Sequence, residues 1–431
     1  MKNSSQSYLK EVQNQIHSKE AKEIVSAELN HHIKEVKKDW IEKGLKEVDA
    51  EEKAVEQMGS PVTLGQKLNK LHRQKVDWLT VILLLITLGL GFLPLLSLEN
   101  GFSNIEYFSR HKIVFVLLGG FLSIGMMLIN YRKLEKLGWL FFVLGMLILM
   151  ALKFFPSQYL HGVPSIEVGP LTVEILMALP FFFLAWASFF NDKRLKLWHL
   201  GILFFLSCYM LIGMPSISVT YIYIVMVFVM FCWSQFSRKT ILKTIGITIS
   251  SFLISSIILW QSVEQYQKHR LVVFLKPEQY PDSEGYMILL LKEKLAQAGW
   301  FGNSMANEFI PEGHTNFVFV SLTSYFGWLF AIVLVLILSL FIARIVVITR
   351  KIHHSYGKLL LIGSVALYAV QLVTNIAMTL GLLPMMSLSL PFISYGLMPI
   401  LLNSFLIGIV LSVYRRKDLV TSGFMTKEVR I

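Results

Sequence analysis

Residues 79–98 read Leu-Thr-Val-Ile-Leu-Leu-Leu-Ile-Thr-Leu-Gly-Leu-Gly-Phe-Leu-Pro-Leu-Leu-Ser-Leu, without one charged side chain. At about 1.5 Å per residue, a helix of that length covers the hydrocarbon core of a bilayer. Further apolar runs follow at about 112–130, 137–154, 171–190, 197–213, 217–235, 243–260, 318–343, 358–380 and 392–413. The repetition predicts ten transmembrane helices and an all-α, polytopic membrane fold. Composition points the same way. The chain is 54% hydrophobic and carries 31 Phe against 28 acidic residues, more apolar surface than a soluble core can hide.

Lys and Arg orient the bundle. Arg132, Lys133 and Lys136, then Lys193, Arg194 and Lys196, then Arg238, Lys239 and Lys243 lie in alternate connections, and so do Arg350, Lys351, Arg415 and Arg416. The intervening loops at 155–170, 214–218 and 381–391 are nearly free of them. This bias puts both termini in the cytoplasm and the long 261–317 loop outside. It also accounts for most of the net charge of +12, so no nucleic-acid partner follows from the charge. Cys208 and Cys232 fall inside expected spans and read as small apolar fillers, with no disulfide framework. The polar N-terminus argues against a cleavable signal peptide.

Residues 1–77 are a different regime, highly charged with sparse apolar positions. Ile24, Ala27, Leu29, Ile33, Val36, Trp40 and Ile41 recur at helical spacing, and Gly44 breaks the run. Asp49 can cap a second helix through Ala54, Val55 and Met58. Gly59-Ser60-Pro61 turns into a third carrying Leu64, Leu68 and Leu71. The expected organisation is a cytoplasmic helical head over 1–77, a transmembrane domain over 78–417 and a cytoplasmic tail over 418–431. Glu28-Leu-Asn-His-His-Ile, Gly44, Ala54 and Met58-Gly59-Ser60-Pro61 resemble the short prefix domain of some Bacillus-type permeases and cell-shape proteins. That resemblance implies no chemistry. Adjacent on a helix, His31 and His32 point to different sides and read as surface residues.

The chemistry-bearing stretch is 311–319, Pro-Glu-Gly-His-Thr-Asn-Phe-Val-Phe. It resembles the Pro-Glu-x-His-Thr-Asp-Phe motif of the SEDS family, the FtsW/RodA/SpoVE-type membrane proteins. More of the chain is similar to that family in the same order: His269-Arg270-Leu271, Phe274-Leu275, Pro277, Gly285-Tyr286, Gly299-Trp300-Phe301-Gly302, Gln371, Asn375, Gly381, Pro384, Pro391-Phe392-Ile393-Ser394-Tyr395-Gly396 and Asn403. The resemblance covers about residues 79–417. It implies a peptidoglycan glycan-strand polymerase that joins lipid II units carried on undecaprenyl pyrophosphate, in elongation, division or sporulation. Its implied partners are lipid II, membrane lipids and a class B penicillin-binding protein acting as transpeptidase.

The departures are as specific as the matches. Asn316 stands where the family has its catalytic Asp, and Ser324-Tyr325 where a pair of glutamates is usual. Leu397-Met398-Pro399 replaces Gly-Ser-Ser, and of a Gln-Pro-Ser-Glu signature only Glu174 remains. The 286–299 segment, glycine-rich in the family, instead suggests an amphipathic helix at the outer membrane surface through Leu289, Leu290, Lys292, Lys294 and Leu295.

Sugar transfer needs a carboxylate to take the attacking hydroxyl's proton or to face an oxocarbenium-like centre. Asn has no charge and negligible basicity. Glu312, four residues earlier, shares a helical face with Asn316 if the loop is helical there, and is the candidate substitute. Alongside any functional role, Pro311 is expected to begin the eighth span with Glu312 in its first turn as a favourable dipole partner. The catalytic candidates are therefore Asn316 and Glu312. Arg270 is the expected ligand for lipid pyrophosphate. Lys153, at the edge of the third span, either assists or snorkels. Glu174, in the first turn of the fourth span, is a costly buried acid unless paired or functional. His314, Thr315, Ser394 and Tyr395 complete the substrate candidates that the resemblance implies. No zinc or nucleotide signature is present; a divalent cation could accompany the pyrophosphate. Two other readings stay open: a weak or inactive paralogue that binds lipid II or a transpeptidase, and a lipid flippase or transporter.

Overall fold

A computed structural model of the chain describes residues 4–96, 105–160, 162–169, 171–214, 216–259, 272–283, 285–303 and 310–419. It divides into two compact units, Met1–Asp77 with Tyr414–Ile431, and Trp78–Val413.

The first unit has four helices where three were expected: α1 Ser4–Gln15, α2 Lys19–Glu42, α3 Glu47–Gln57 and α4 Pro61–Leu71. Ser18 creates the extra break, its hydroxyl accepting the Ala21 amide as an N-cap. Along α2 the buried positions are Ala21, Val25, Leu29 and Ile33, while Ala27 and Ile41 from the expected stripe are exposed. Lys46, not Asp49, precedes α3 as its N-cap. Tyr8, Val12, Leu29, Ile33, Met58 and Leu68 share one core, and Leu419 from the C-terminal stretch enters it. Beside it Arg416, 2% exposed, donates to both carboxylate oxygens of Glu20 at 2.9 and 3.0 Å. The sequence boundary had left 414–417 with the spans; these residues group with the head.

Among the described residues, six helices are long and apolar enough to cross a membrane: Trp78–Leu95, Ile105–Leu128, Tyr131–Phe154, Val318–Thr349, Ser355–Thr379 and Leu397–Arg415. Three shorter apolar helices, Ile175–Asn191, Leu197–Ile212 and Ile217–Cys232, and the helix Arg238–Leu259 fall on the remaining expected runs. The 355–379 and 397–415 helices are the centre, each with 78% of its apolar window buried, against 17% for the 105–128 helix. Small residues let that outer helix approach. A Cβ on Gly119 would stand 2.6 Å from Ser404 Oγ, and one on Gly408 would stand 2.7 Å from Met126 Cβ. Gly89 and Gly120, by contrast, face open space.

Two features depart from plain spans. Between the third and fourth spans lies a small antiparallel sheet, order β1-β2-β3, built from β1 Gln158–Leu160, β2 Val163–Val168 and β3 Leu171–Val173. Gln158 pairs with Ser165 and Ile166 with Val173. The strand takes residues 171–173, so the fourth span begins at Ile175. Glu174, expected in its first turn, is an extended N-cap residue (φ −117°, ψ 164°) whose side chain makes no capping bond.

The second departure is a break in the 318–349 helix at Gly327 (φ 89°, ψ 171°). The 299–303 loop repairs it. Trp328 N donates to Gly299 O at 3.0 Å, Leu329 N to Trp300 O at 3.2 Å, and Asn303 N to Ser324 O at 3.1 Å. Bonds lost at the break are thus recovered from another segment, as a low-dielectric setting requires. Trp328 Nε1 also donates to Leu295 O at 3.1 Å, fastening the helix Tyr286–Gln297. That helix was expected on the membrane surface. Instead Leu291 and Leu295 pack with Phe317, Val320 and Met378, and Lys294 is buried. Its apolar face is spent on protein.

Candidate functional site

Pro311–Phe317 form a turn ahead of the 318–349 helix rather than its beginning; Phe317 is the N-cap. Glu312 therefore does not serve a first helical turn. It is left-handed at φ 55°, a conformation that costs a residue with a side chain on the order of 1 kcal/mol. The turn's own bonds hold it there: Glu312 O accepts Thr315 N at 3.0 Å, Phe317 N at 3.1 Å and Thr315 Oγ1 at 3.2 Å. The wrapped backbone brings the two candidate catalytic side chains together. Asn316 Nδ2 donates to Glu312 Oε2 at 2.5 Å. Both side chains are only part-buried, so the pair is reachable from outside the protein.

Two other segments fix this turn. From the 355–379 helix, fully buried Asn375 donates through Nδ2 to Asn316 O at 2.9 Å and to Leu388 O at 2.6 Å. From the 391–396 loop, Ser394 Oγ donates to Thr315 O at 2.6 Å and accepts Leu390 N at 2.8 Å, while Tyr395 N donates to His314 O at 2.8 Å. Asn403 and Gln371 brace the helices behind, Asn403 Nδ2 donating to Gln371 Oε1 at 3.1 Å. Lys112 reaches the same loop from the 105–128 helix, donating to the carbonyls of Phe392, Ile393 and Ser394.

An aromatic wall flanks the turn. Phe108 lies edge-on to His314 (5.6 Å) and Tyr395 (5.2 Å), and Phe115 lies 5.6 Å from Tyr395. Burial lowers the His314 pKa from its usual value, with the nearby Glu312 charge opposing, so the imidazole is neutral near pH 7. Burial also pushes the Tyr395 phenol up to about 12, leaving it a hydroxyl at working pH.

The structure thus gathers Glu312, His314, Thr315, Asn316, Ser394 and Tyr395. No described contact brings Lys153 or Glu174 into this group. The Lys153 ammonium lies 5.6 Å over the Tyr209 ring, and Glu174 stands between β3 and the fourth span. Arg270 lies outside the described residues. Lys112 and the tie through Asn375 were missed. Lys112 opens an apolar run, where a cation is read by default as reaching for the interface. Among the described residues no three His, Cys, Asp or Glu side chains are grouped to hold a metal.

The family model described as FtsW/RodA/SpoVE cell cycle protein matches residues 76–419. The chain belongs to that family. It is a multi-pass membrane protein, as its run of apolar helices requires. The family relatives include the "Probable peptidoglycan glycosyltransferase FtsW" of Thioalkalivibrio sp. (strain K90mix), 22% identical over 378 residues, covering 80% of this chain and 91% of that one. Stage V sporulation protein E of Bacillus subtilis (strain 168) is 24% identical over 368 residues, covering 79% and 97%. Among solved structures, a chain from "Structural coordination of polymerization and crosslinking by a peptidoglycan synthase complex" superposes with a TM-score of 0.69 at 23% identity, over 79% of this chain and 98% of that one. Thermus thermophilus RodA superposes with a TM-score of 0.57 at 20% identity, over 79% and 97%. The superpositions establish the fold.

Proposed function

We propose that this family member polymerises glycan strands from lipid II, with Glu312 as the reacting carboxylate and Asn316 as the residue that aims it. The observation that carries the reading is the Asn316–Glu312 hydrogen bond. An amide donating to one oxygen holds the carboxylate in place, and leaves the other oxygen to take the proton of the attacking sugar hydroxyl. Among the described residues Oε1 has no hydrogen-bond partner. The carboxylate function is thereby carried by the neighbour four residues back, on the same turn. The name of one relative, a probable peptidoglycan glycosyltransferase, supports peptidoglycan as the substrate class.

In this reading Arg270 meets the lipid pyrophosphate, and any divalent cation arrives with that substrate. The Lys/Arg bias supports cytoplasmic termini and an outside 261–317 loop, the side on which this reading has lipid II consumed. A class B transpeptidase is the proposed partner, in keeping with the polymerisation and crosslinking named for the superposed complex.

The test is polymerisation of labelled lipid II by the purified full chain, with and without its transpeptidase. Glycan product is expected, and Glu312→Gln should lower its rate by about 10²–10⁴-fold. Wild-type synthesis insensitive to Glu312→Gln would overturn the assignment of the carboxylate. A second reading, a lipid-II-binding paralogue without turnover, is favoured by Asn316 itself. It requires an inactive wild type whose Asn316→Asp variant gains synthesis. Robust transbilayer movement of lipid II with no polymer would replace both by a flippase.

A further inference from the structure

Lys112 is completely buried, although it sits on the long helix with the least burial. Its ammonium lies 3.4 Å from Phe392 O, 3.3 Å from Ile393 O and 2.9 Å from Ser394 O. Three consecutive carbonyls do not ordinarily converge. Here Phe392 is left-handed at φ 63°, which folds the loop back on itself. Gly91 closes the remaining side with bare backbone. A Cβ there would stand 2.6 Å from Phe392 O and 3.2 Å from Lys112 Nζ. No carboxylate of a described residue lies within ion-pair distance of the ammonium.

A lone charge in a membrane-embedded bundle costs several kcal/mol unless its surroundings compensate, and an apolar side chain of equal length would avoid that cost. Snorkelling does not explain a side chain with no exposure. Direct substrate contact does not either, because an ammonium has three donors and all three are engaged. What remains is the loop. Three carbonyl dipoles pointing at one spot repel one another, and a cation at their focus removes the repulsion. That loop is the one whose Ser394 and Tyr395 bond the carbonyls of Thr315 and His314, next to Asn316.

We propose that Lys112 is a positioning residue, the built-in cation of a three-carbonyl crown at 392–394, which locks the 391–396 loop and so fixes the Glu312–Asn316 turn. Its catalytic consequence rests on the function proposed above; its structural consequence does not. The test uses the full chain in lipid nanodiscs and reads amide hydrogen exchange. In Lys112→Met, exchange in 388–397 and in 311–318 should rise about tenfold or more, with the 355–379 helix unchanged. In Lys112→Ala, added ethylammonium should restore protection, whereas tetramethylammonium, which has no N–H to donate, should not. Lys112→Gln keeps two donors and should fall between wild type and Lys112→Met, so it serves if Lys112→Met does not fold.

If the wild type polymerises lipid II, Lys112→Met should lower kcat about tenfold while KM changes less than about twofold, with ethylammonium restoring kcat in Lys112→Ala. A wild type that makes no polymer rejects the functional reading alone, and exchange still decides the role of Lys112. Unchanged exchange in both segments, or equal restoration by tetramethylammonium, would overturn the proposal.

Discussion

In the head, Lys37 reaches Glu47 and Glu51, each at 3.0 Å, across a surface where Glu47 is 77% exposed. In the membrane unit, the hydroxyls of Thr87, Ser207, Thr323, Ser364 and Thr379 turn back to carbonyls one helical turn earlier. At the candidate site, Asn375, Ser394 and Lys112 bond carbonyls of distant segments instead. Water makes the difference. On the head, an ion whose partner is removed is rehydrated, so its pairings are adjustable. Inside the bundle an abandoned carbonyl has no alternative partner, so a polar side chain that bonds one holds it firmly, in its own helix or in another segment. Among those that leave their own helix, Asn375 and Ser394 hold the turn bearing Glu312 and Asn316, while Ser188 and Ser412 tie the carbonyls of Glu135 and Ile129.

The comparison breaks first at the braced helix. Gly302 (φ 91°) lies against the backbone of Tyr325 and Phe326, where a Cβ would run into the Tyr325 carbonyl. Neither strain nor overlap can relax against backbone, so Gly302→Ala should destabilise the membrane unit by more than about 3 kcal/mol. Thermal unfolding in nanodiscs would measure it, and a loss as small as that of a surface change would show that the brace is dispensable. Next comes Asn375→Ala, which deprives the carbonyls of Asn316 and Leu388 of a buried donor. A cost of about 3 kcal/mol is expected, together with faster exchange in 311–318. A cost without faster exchange would mean that Asn375 packs but does not hold the turn.

The head should yield smaller effects. Arg416→Ala leaves Glu20 without its guanidinium, but Glu20 is 27% exposed and water covers part of the loss. About 2 kcal/mol is expected, read as earlier proteolysis of 1–77 in the full chain. Equal sensitivity in Arg416→Ala and Asn375→Ala would erase the contrast between the two regions. Lys37→Met should cost less than about 1 kcal/mol, and less still in high salt. The Ser5 hydroxyl, then Lys37, hold the Glu51 carboxyl below its ordinary value of 4.5. Its contribution is therefore present above pH 4.5 and lost as pH falls through the lower folded value. An acid limb of head stability that survives Glu51→Gln would assign that limb to another group.

Legibility in the sequence followed the same physical divide. Uncharged runs of span length specify helices wherever they land, because a lipid environment allows the backbone little else. The ten helices fall close to the ten runs for that reason. The short sheet was not legible, since β2 is a six-residue stretch in a loop without a strong alternating pattern. In the head, a four-residue period through Ala21, Val25, Leu29 and Ile33 set the buried face of α2, and Ile41, outside that period, is exposed. At the site, the Pro-Glu-Gly-His-Thr-Asn string marked the residues but not their conformation. A left-handed glutamate is a choice that neighbouring segments impose.

By itself, then, the sequence determined that this is a bundle of membrane helices with a charged head, and it singled out positions 311–316 and 391–396 as the candidate site. Apolar length and local motif are properties of contiguous residues, which is why they could be read. Tertiary structure decided the rest. It pairs Asn316 with Glu312, turns Lys112 inward onto three carbonyls, mends the helix at Gly327 with a loop some 25 residues earlier, and gathers the residues from Tyr414 onward with the head. Each joins groups whose compatibility depends on where distant backbone carbonyls end up. No local pattern carries that information, and in a medium without water it is what the folded chain must satisfy.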